Sequence, residues 1–137
     1  MPTIKNLQKK IPLPINKINK ILNKINKILD LKSDYCIVIV DKNSIRRINK
    51  KYLKRNSYTD VISFGYEEKD YLGDIFVCAE IAKSNAPIYK TSFLNELILY
   101  ITHGILHLIG FNDLKISERL LMRRKEKQIL NSLFKLI

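Results

Sequence analysis

The sequence predicts an α+β fold: one domain in which a small mixed sheet is packed by helices around a central buried helix. Three observations predict it. Short β-branched runs at residues 35–41, 60–64 and 72–78 alternate with long stretches in which apolar residues recur every three or four positions. The chain has 137 residues, 46% of them hydrophobic, and only 4 Gly and 4 Pro, which suits a single globular domain over 1–137 able to bury its own core. The longest segment free of Lys, Arg, Asp and Glu, Leu97 to Asn112, is shorter than the roughly 20 apolar residues of a membrane span and contains both histidines, so it reads as a buried helix.

The elements follow in order. Ile15, Ile18, Ile21, Leu22, Ile25, Ile28 and Leu29 make one apolar stripe with Lys17, Lys20, Lys24 and Lys27 opposite, which predicts an amphipathic helix. The run Tyr35-Cys-Ile-Val-Ile-Val-Asp41 is too short for a buried helix and predicts a central strand. Ser44 is placed to cap a helix through Ile45, Ile48, Tyr52 and Leu53, with Arg46, Arg47, Lys50 and Lys51 outside. Residues 60–64 and 72–78, joined by the polar Glu67, Glu68, Lys69 and Asp70, predict an antiparallel hairpin, and a short helix over 80–86 is expected to stop before Pro87. From Ser92, Phe93, Leu94, Leu97, Ile98, Ile101, Ile105, Leu106 and Leu108 cover more than half a helix circumference, and Gly110 stands where a left-handed residue ends such a helix. Residues 116–134 read as a charged surface helix with Leu120, Leu121, Ile129, Leu130 and Leu133 inward.

The net charge of +12 invites a polyanionic partner, because clustered Lys and Arg release counterions from nucleic acid. Yet 19 Lys, 22 Ile and 12 Asn, all with A/T-rich codons, make up 53 of the 137 residues, so compositional drift accounts for part of that charge. The first residues lack the apolar core of an export signal, and Cys36 and Cys78 lie in apolar runs as free thiols, so a reduced cytoplasmic protein without disulfide partners is expected.

The two histidines carry the sharpest signal. His103 and His107 are four apart on the predicted central helix, about 40° apart around its surface at 100° per residue, so both rings can reach one ion. The string His103-Gly-Ile-Leu-His107-Leu-Ile-Gly110-Phe-Asn-Asp113 places a glycine where the chain must reverse and a carboxylate where a third ligand folds back over the helix end. Two imidazoles and a carboxylate suit one zinc ion per chain and leave a fourth position open, the arrangement of catalytic zinc, which lowers the pKa of bound water. Gly104 stands where zinc peptidases of this spacing carry their glutamate base, which disfavours peptide hydrolysis.

These residues resemble the YbeY endoribonucleases, whose zinc motif runs H-G-x-L-H-L-x-G-Y-D-H. The match extends to Thr59-Asp60-Val61-Ile62-Ser63-Phe64 against T-D-V-L-S-F, to Leu72-Gly73-Asp74-Ile75 against L-G-D-I, and to Met122, Glu126, Ile129 and Leu130 against M-x-x-x-E-x-x-I-L. The resemblance implies a zinc-dependent, single-strand-specific endoribonuclease working in a basic cleft. It also implies ribosomal RNA and the small ribosomal subunit as partners, in maturation of the small-subunit RNA 3′ end and in ribosome quality control.

Two departures stand out. Asp113 replaces the family's third histidine, and Leu53 follows Asn49-Lys-Lys-Tyr52 where the family carries an arginine for the phosphate. Arg55, or Lys54, is the candidate to take that part beside His103 in catalysis, and Lys50, Lys51, Lys54 and Arg55 are the candidates to hold the RNA backbone. Asp74 and Ser63 are either ordinary turn and strand residues or groups that orient a ligand histidine. The second reading is favoured for Asp74, because a carboxylate in an apolar strand needs a partner. Leu53 also leaves room for a non-catalytic ribosome-assembly factor that binds rRNA and contains zinc.

Overall fold

The computed structural model describes residues 2–134, so Met1 and residues 135–137 of the expected domain lie outside the described residues. In chain order the elements are β1 (Thr3–Asn6), α1 (Ile15–Ile28), β2 (Asp34–Val40), α2 (Lys42–Leu53), β3 (Val61–Glu68), β4 (Tyr71–Cys78), α3 (Ala79–Ile88), α4 (Phe93–Leu108) and α5 (Ile116–Leu133).

Alternation along β2 sets the layering. Tyr35, Ile37 and Ile39 join the larger apolar cluster, whereas Cys36, Val38 and Val40 join the smaller one on the other face. A strand buried on both faces belongs inside a sheet, and the strand order is β1-β2-β4-β3. β2 runs parallel to β1 and β4, and β3 closes the sheet antiparallel to β4, so β3 is an edge strand. The larger cluster packs α1, α4 and α5 against one face through Ile18, Leu22, Ile25, Ile101, Ile105 and Ile129, all of them fully buried. Ile45 of α2 covers the other face. Both cysteines are buried and free, and no helix among the described residues is long and apolar enough to cross a membrane.

The structure adds one element and corrects several expectations. β1 pairs with β2 although Thr3-Ile-Lys-Asn6 has no strand-like alternation, because its backbone groups are satisfied by a neighbour some thirty residues away. Asp41, not Ser44, caps α2: its carboxylate accepts the Ser44 N–H at 2.8 Å. The hairpin strands extend through Glu67 and Glu68 and turn at Lys69-Asp70, with Asp70 at φ 66°. α3 continues through Pro87 into its last turn, where the ring forfeits the one hydrogen bond an N–H at 87 would give to the preceding turn. On α5 the buried stripe is Met122, Glu126 and Ile129, while Leu120 and Leu121 are exposed. Ile129, Leu130 and Leu133 do face the core as expected, so the departure is confined to the first half of the helix, where Met122 and Glu126 turn inward in place of Leu120 and Leu121.

Candidate metal centre

α4 begins at Ser92, whose hydroxyl accepts the Asn95 N–H, and lies over β3 and β4. Gly104 sets how closely it lies. A Cβ there would come within 2.5 Å of Ile75 Cγ2 and 3.0 Å of Ser63 Oγ. Position 104 therefore faces the sheet at a separation that admits no side chain, which is the physical reason no glutamate follows His103. The Ser63 hydroxyl donates to the Gly104 carbonyl at 3.1 Å and ties the edge strand to the ligand helix.

His103 and His107, one turn apart, emerge on the rim of α4 with ring centroids 4.7 Å apart. The helix then ends: Gly110 takes φ 108°, the Phe111 N–H donates to the Leu106 carbonyl at 2.9 Å, and the Phe111 ring packs on the core. That reversal returns Asp113 to the histidines. Its Oδ2 lies 3.6 Å from His103 Nε2 and 3.3 Å from His107 Nε2, and the three candidate ligand atoms all fall within 4.8 Å of one another.

The remaining ring nitrogen of His103 is engaged from α5. Glu126 Oε2 lies 2.5 Å from His103 Nδ1, and Glu126 is buried. With Nδ1–H donated to that carboxylate, the Nε2 lone pair faces Asp113 and His107, as a metal ligand requires. Burial works against a charged His103 imidazole, but the Glu126 hydrogen bond and charge, helped by Asp60 and Asp113, outweigh it and hold its pKa above the ordinary histidine value. Surroundings that favour an added proton favour a cation at the same place. Two imidazoles and a carboxylate, aimed at one point and backed by a buried acid, therefore fit a divalent metal.

The group opens into a cleft of about 460 Å³ along the outer edge of β3, bounded by Thr59, Asp60, Val61, Ser63, Leu53 and Leu108. A protein-family model described as Endoribonuclease YbeY matches residues 3–134. The chain belongs to the YbeY family.

Relatives in that family carry the same description, Endoribonuclease YbeY. The protein of Carboxydothermus hydrogenoformans is 34% identical over 139 residues, covering 97% of each chain. That of Fusobacterium nucleatum is 36% identical over 125 residues, 85% of this chain and 77% of its own. The solution structure of TM1509 from Thermotoga maritima matches the fold with a TM-score of 0.72, covering 98% of this chain and 90% of that one at 24% identity.

Within this YbeY fold, the residues singled out in the sequence fall into two groups. His103, His107 and Asp113 come together; Ser63 touches the ligand helix through its backbone and not a histidine. Asp74 departs from its expected role. Its carboxylate accepts hydrogen bonds from the Tyr66 and Tyr71 hydroxyls, and burial together with that acid raises the Tyr71 pKa. The acid that holds a ligand histidine is Glu126, which the sequence flagged only as part of a spacing pattern. The signal that could have assigned it is a single carboxylate on the Met122, Glu126, Ile129 stripe.

The basic residues of α2 stand elsewhere. None of Lys50, Lys51, Lys54 and Arg55 lines the cleft, although Leu53 does. Lys54 is the left-handed cap of α2 with its ammonium turned back to the Lys51 carbonyl, and Arg55 follows in the connection to β3. Arg55, expected to take a catalytic part, does not line the cleft whose wall Leu53 occupies.

Proposed function

We propose that the chain is a metal-dependent endoribonuclease that cuts single-stranded RNA during ribosomal RNA processing, using one zinc ion held by His103, His107 and Asp113. The observation that carries this reading is the convergence of three ligand atoms within 4.8 Å beside an open cleft, in a chain of the YbeY family. Zinc, when bound, would supply Lewis acidity toward a phosphoryl oxygen and toward water.

The chain's own residues do the rest. Glu126 fixes the tautomer and ring angle of His103, Gly110 delivers Asp113, and Ser63 holds α4 against β3 so that the ligands stay at the mouth of the cleft. The cleft volume is that of a site for one small ligand, which suits an unpaired nucleotide better than the width of a duplex. Maturation of the small-subunit RNA 3′ end, ribosome quality control, the small ribosomal subunit as partner and a cytoplasmic location complete the proposal.

Metal analysis of the purified protein, combined with cleavage of single-stranded and duplex rRNA fragments, tests it. One zinc per chain and single-strand cutting lost in His103→Ala and His107→Ala are expected. Zinc-stripped protein cutting as fast as the loaded form would overturn it. A second reading, an rRNA-binding assembly factor without catalysis, is favoured by one observation: among the described residues no Lys or Arg lines the cleft. Tight, salt-sensitive RNA binding with no cleavage at any zinc concentration would select it.

A further inference from the structure

Phosphodiester chains are held by cations, and among the described residues no Lys or Arg lines the cleft, so the strand must find its charge elsewhere. That charge lies on the other side of His103. A second cavity of about 510 Å³ opens there between α3, α4 and α5, and shares Asp60, Val61 and His103 with the cleft. A smaller one of about 140 Å³ lies beside Asp113, against the same face of α5. Arg119 borders the smaller cavity and Arg123 borders both.

These two arginines differ in what they are free to do. Arg119 donates to the Leu114 carbonyl at 3.2 Å and to the Asp113 carbonyl at 3.5 Å, so it is committed to the ligand loop. Arg123 is exposed and makes no hydrogen bond or ion pair among the described residues. A free guanidinium next to a metal centre matches a phosphate in geometry and charge. Glu96, Glu126 and Asp60 also line the second cavity, so an anion is repelled from its interior and held only at the arginine.

What the interior suits is a base. Tyr89 stands exposed at its edge, and the floor is polar: the Asn85 amide donates to the Tyr100 hydroxyl at 2.8 Å beside buried Glu96. An aromatic face with hydrogen-bonding groups behind it is how single-stranded RNA is commonly gripped.

We propose that the second cavity is a nucleotide subsite, in which Arg123 holds the phosphate next to the metal centre and Tyr89 stacks on the base of the adjoining unpaired ribonucleotide. This rests on the endoribonuclease reading and adds the path of the strand: from the cleft along β3, over His103, into the space between α3 and α5.

The test is equilibrium binding of a short, labelled single-stranded RNA to the full-length protein over a range of salt, with KM and kcat for cleavage measured alongside. Arg123→Gln is expected to weaken binding and to reduce the slope of log K against log salt by about 0.7, one phosphate contact on a single strand. Arg124→Gln removes the same charge one residue along, from an exposed position lining none of the three cavities, and is expected to leave the slope unchanged. Tyr89→Ala should weaken binding about tenfold at an unchanged slope. Metal content should stay as in the wild type for all three variants.

Equal effects of Arg123→Gln and Arg124→Gln, or no loss of binding in Tyr89→Ala, would overturn the subsite. RNA binding with these differences but no cleavage by the wild type would remove the nuclease reading and leave the subsite standing. Cleavage with wild-type KM in Arg123→Gln and Tyr89→Ala would do the reverse.

Discussion

α4 and α5 both supply the candidate metal centre, from opposite kinds of helix. α4 is buried around most of its circumference, and its two histidines stand out as polar residues in an otherwise apolar stretch. α5 is mostly exposed, with a narrow buried stripe of Met122, Glu126 and Ile129, and its buried carboxylate is surrounded in sequence by Arg, Lys and Gln. A functional side chain is legible against a background of the other polarity and hidden against its own. The more exposed helix nevertheless contributes the group that orients the ligand on the more buried one.

Substitutions can break or sharpen that contrast. The largest effect is expected on α4 itself: His103→Ala and His107→Ala should each abolish stoichiometric metal binding, read by metal analysis after dialysis, because two remaining donors do not hold a zinc ion against solvent. Next is Ile129→Ala on α5, which should cost about 2–5 kcal/mol in denaturant unfolding by leaving a cavity under a fully buried side chain.

Glu126→Gln keeps the shape and removes the charge that favours the His103 cation, so metal affinity in chelator competition should fall roughly 10- to 100-fold with the fold retained. If affinity is unchanged, α5 is only a packing element and the contrast collapses. Gly104→Ala tests how closely α4 can lie on the sheet. The contact with stiff, buried Ile75 should cost about 1–3 kcal/mol, less the roughly 1 kcal/mol that alanine gains over glycine in a helix, so thermal stability is expected to fall by up to about 2 kcal/mol. Leu121→Gln should change stability by no more than about 0.5 kcal/mol, since the structure turns this residue to solvent.

Much of the fold was legible where one local signal was strong. α1, β2 and the β3–β4 hairpin follow from the Ile and Lys spacing of residues 15–29 and from the β-branched runs, and the ends of α4 follow from Ser92 and Gly110. The misreadings share a cause. β1, which carries no signal the sequence reading used, has no alternation of its own and exists because β2 offers it an edge, and the inward turn of Met122 and Glu126 in place of Leu120 and Leu121 is decided by what Glu126 meets beneath it. Asp74 was correctly expected to need a partner, but that partner is a pair of tyrosines on the same hairpin.

By itself, then, the sequence determined the candidate ligand set. The spacing of His103, His107, Gly110 and Asp113 lies within one helix and its terminal turn, where 3.6 residues per turn and a glycine reversal fix which side chains can meet. The tertiary structure decided what surrounds them: Glu126 behind His103, Leu53 on the cleft wall in place of a cation, and Arg123 beside a second cavity. Those placements depend on how α2, α4 and α5 pack on the sheet and on one another, and no short-range periodicity encodes the distance between residues brought together by packing.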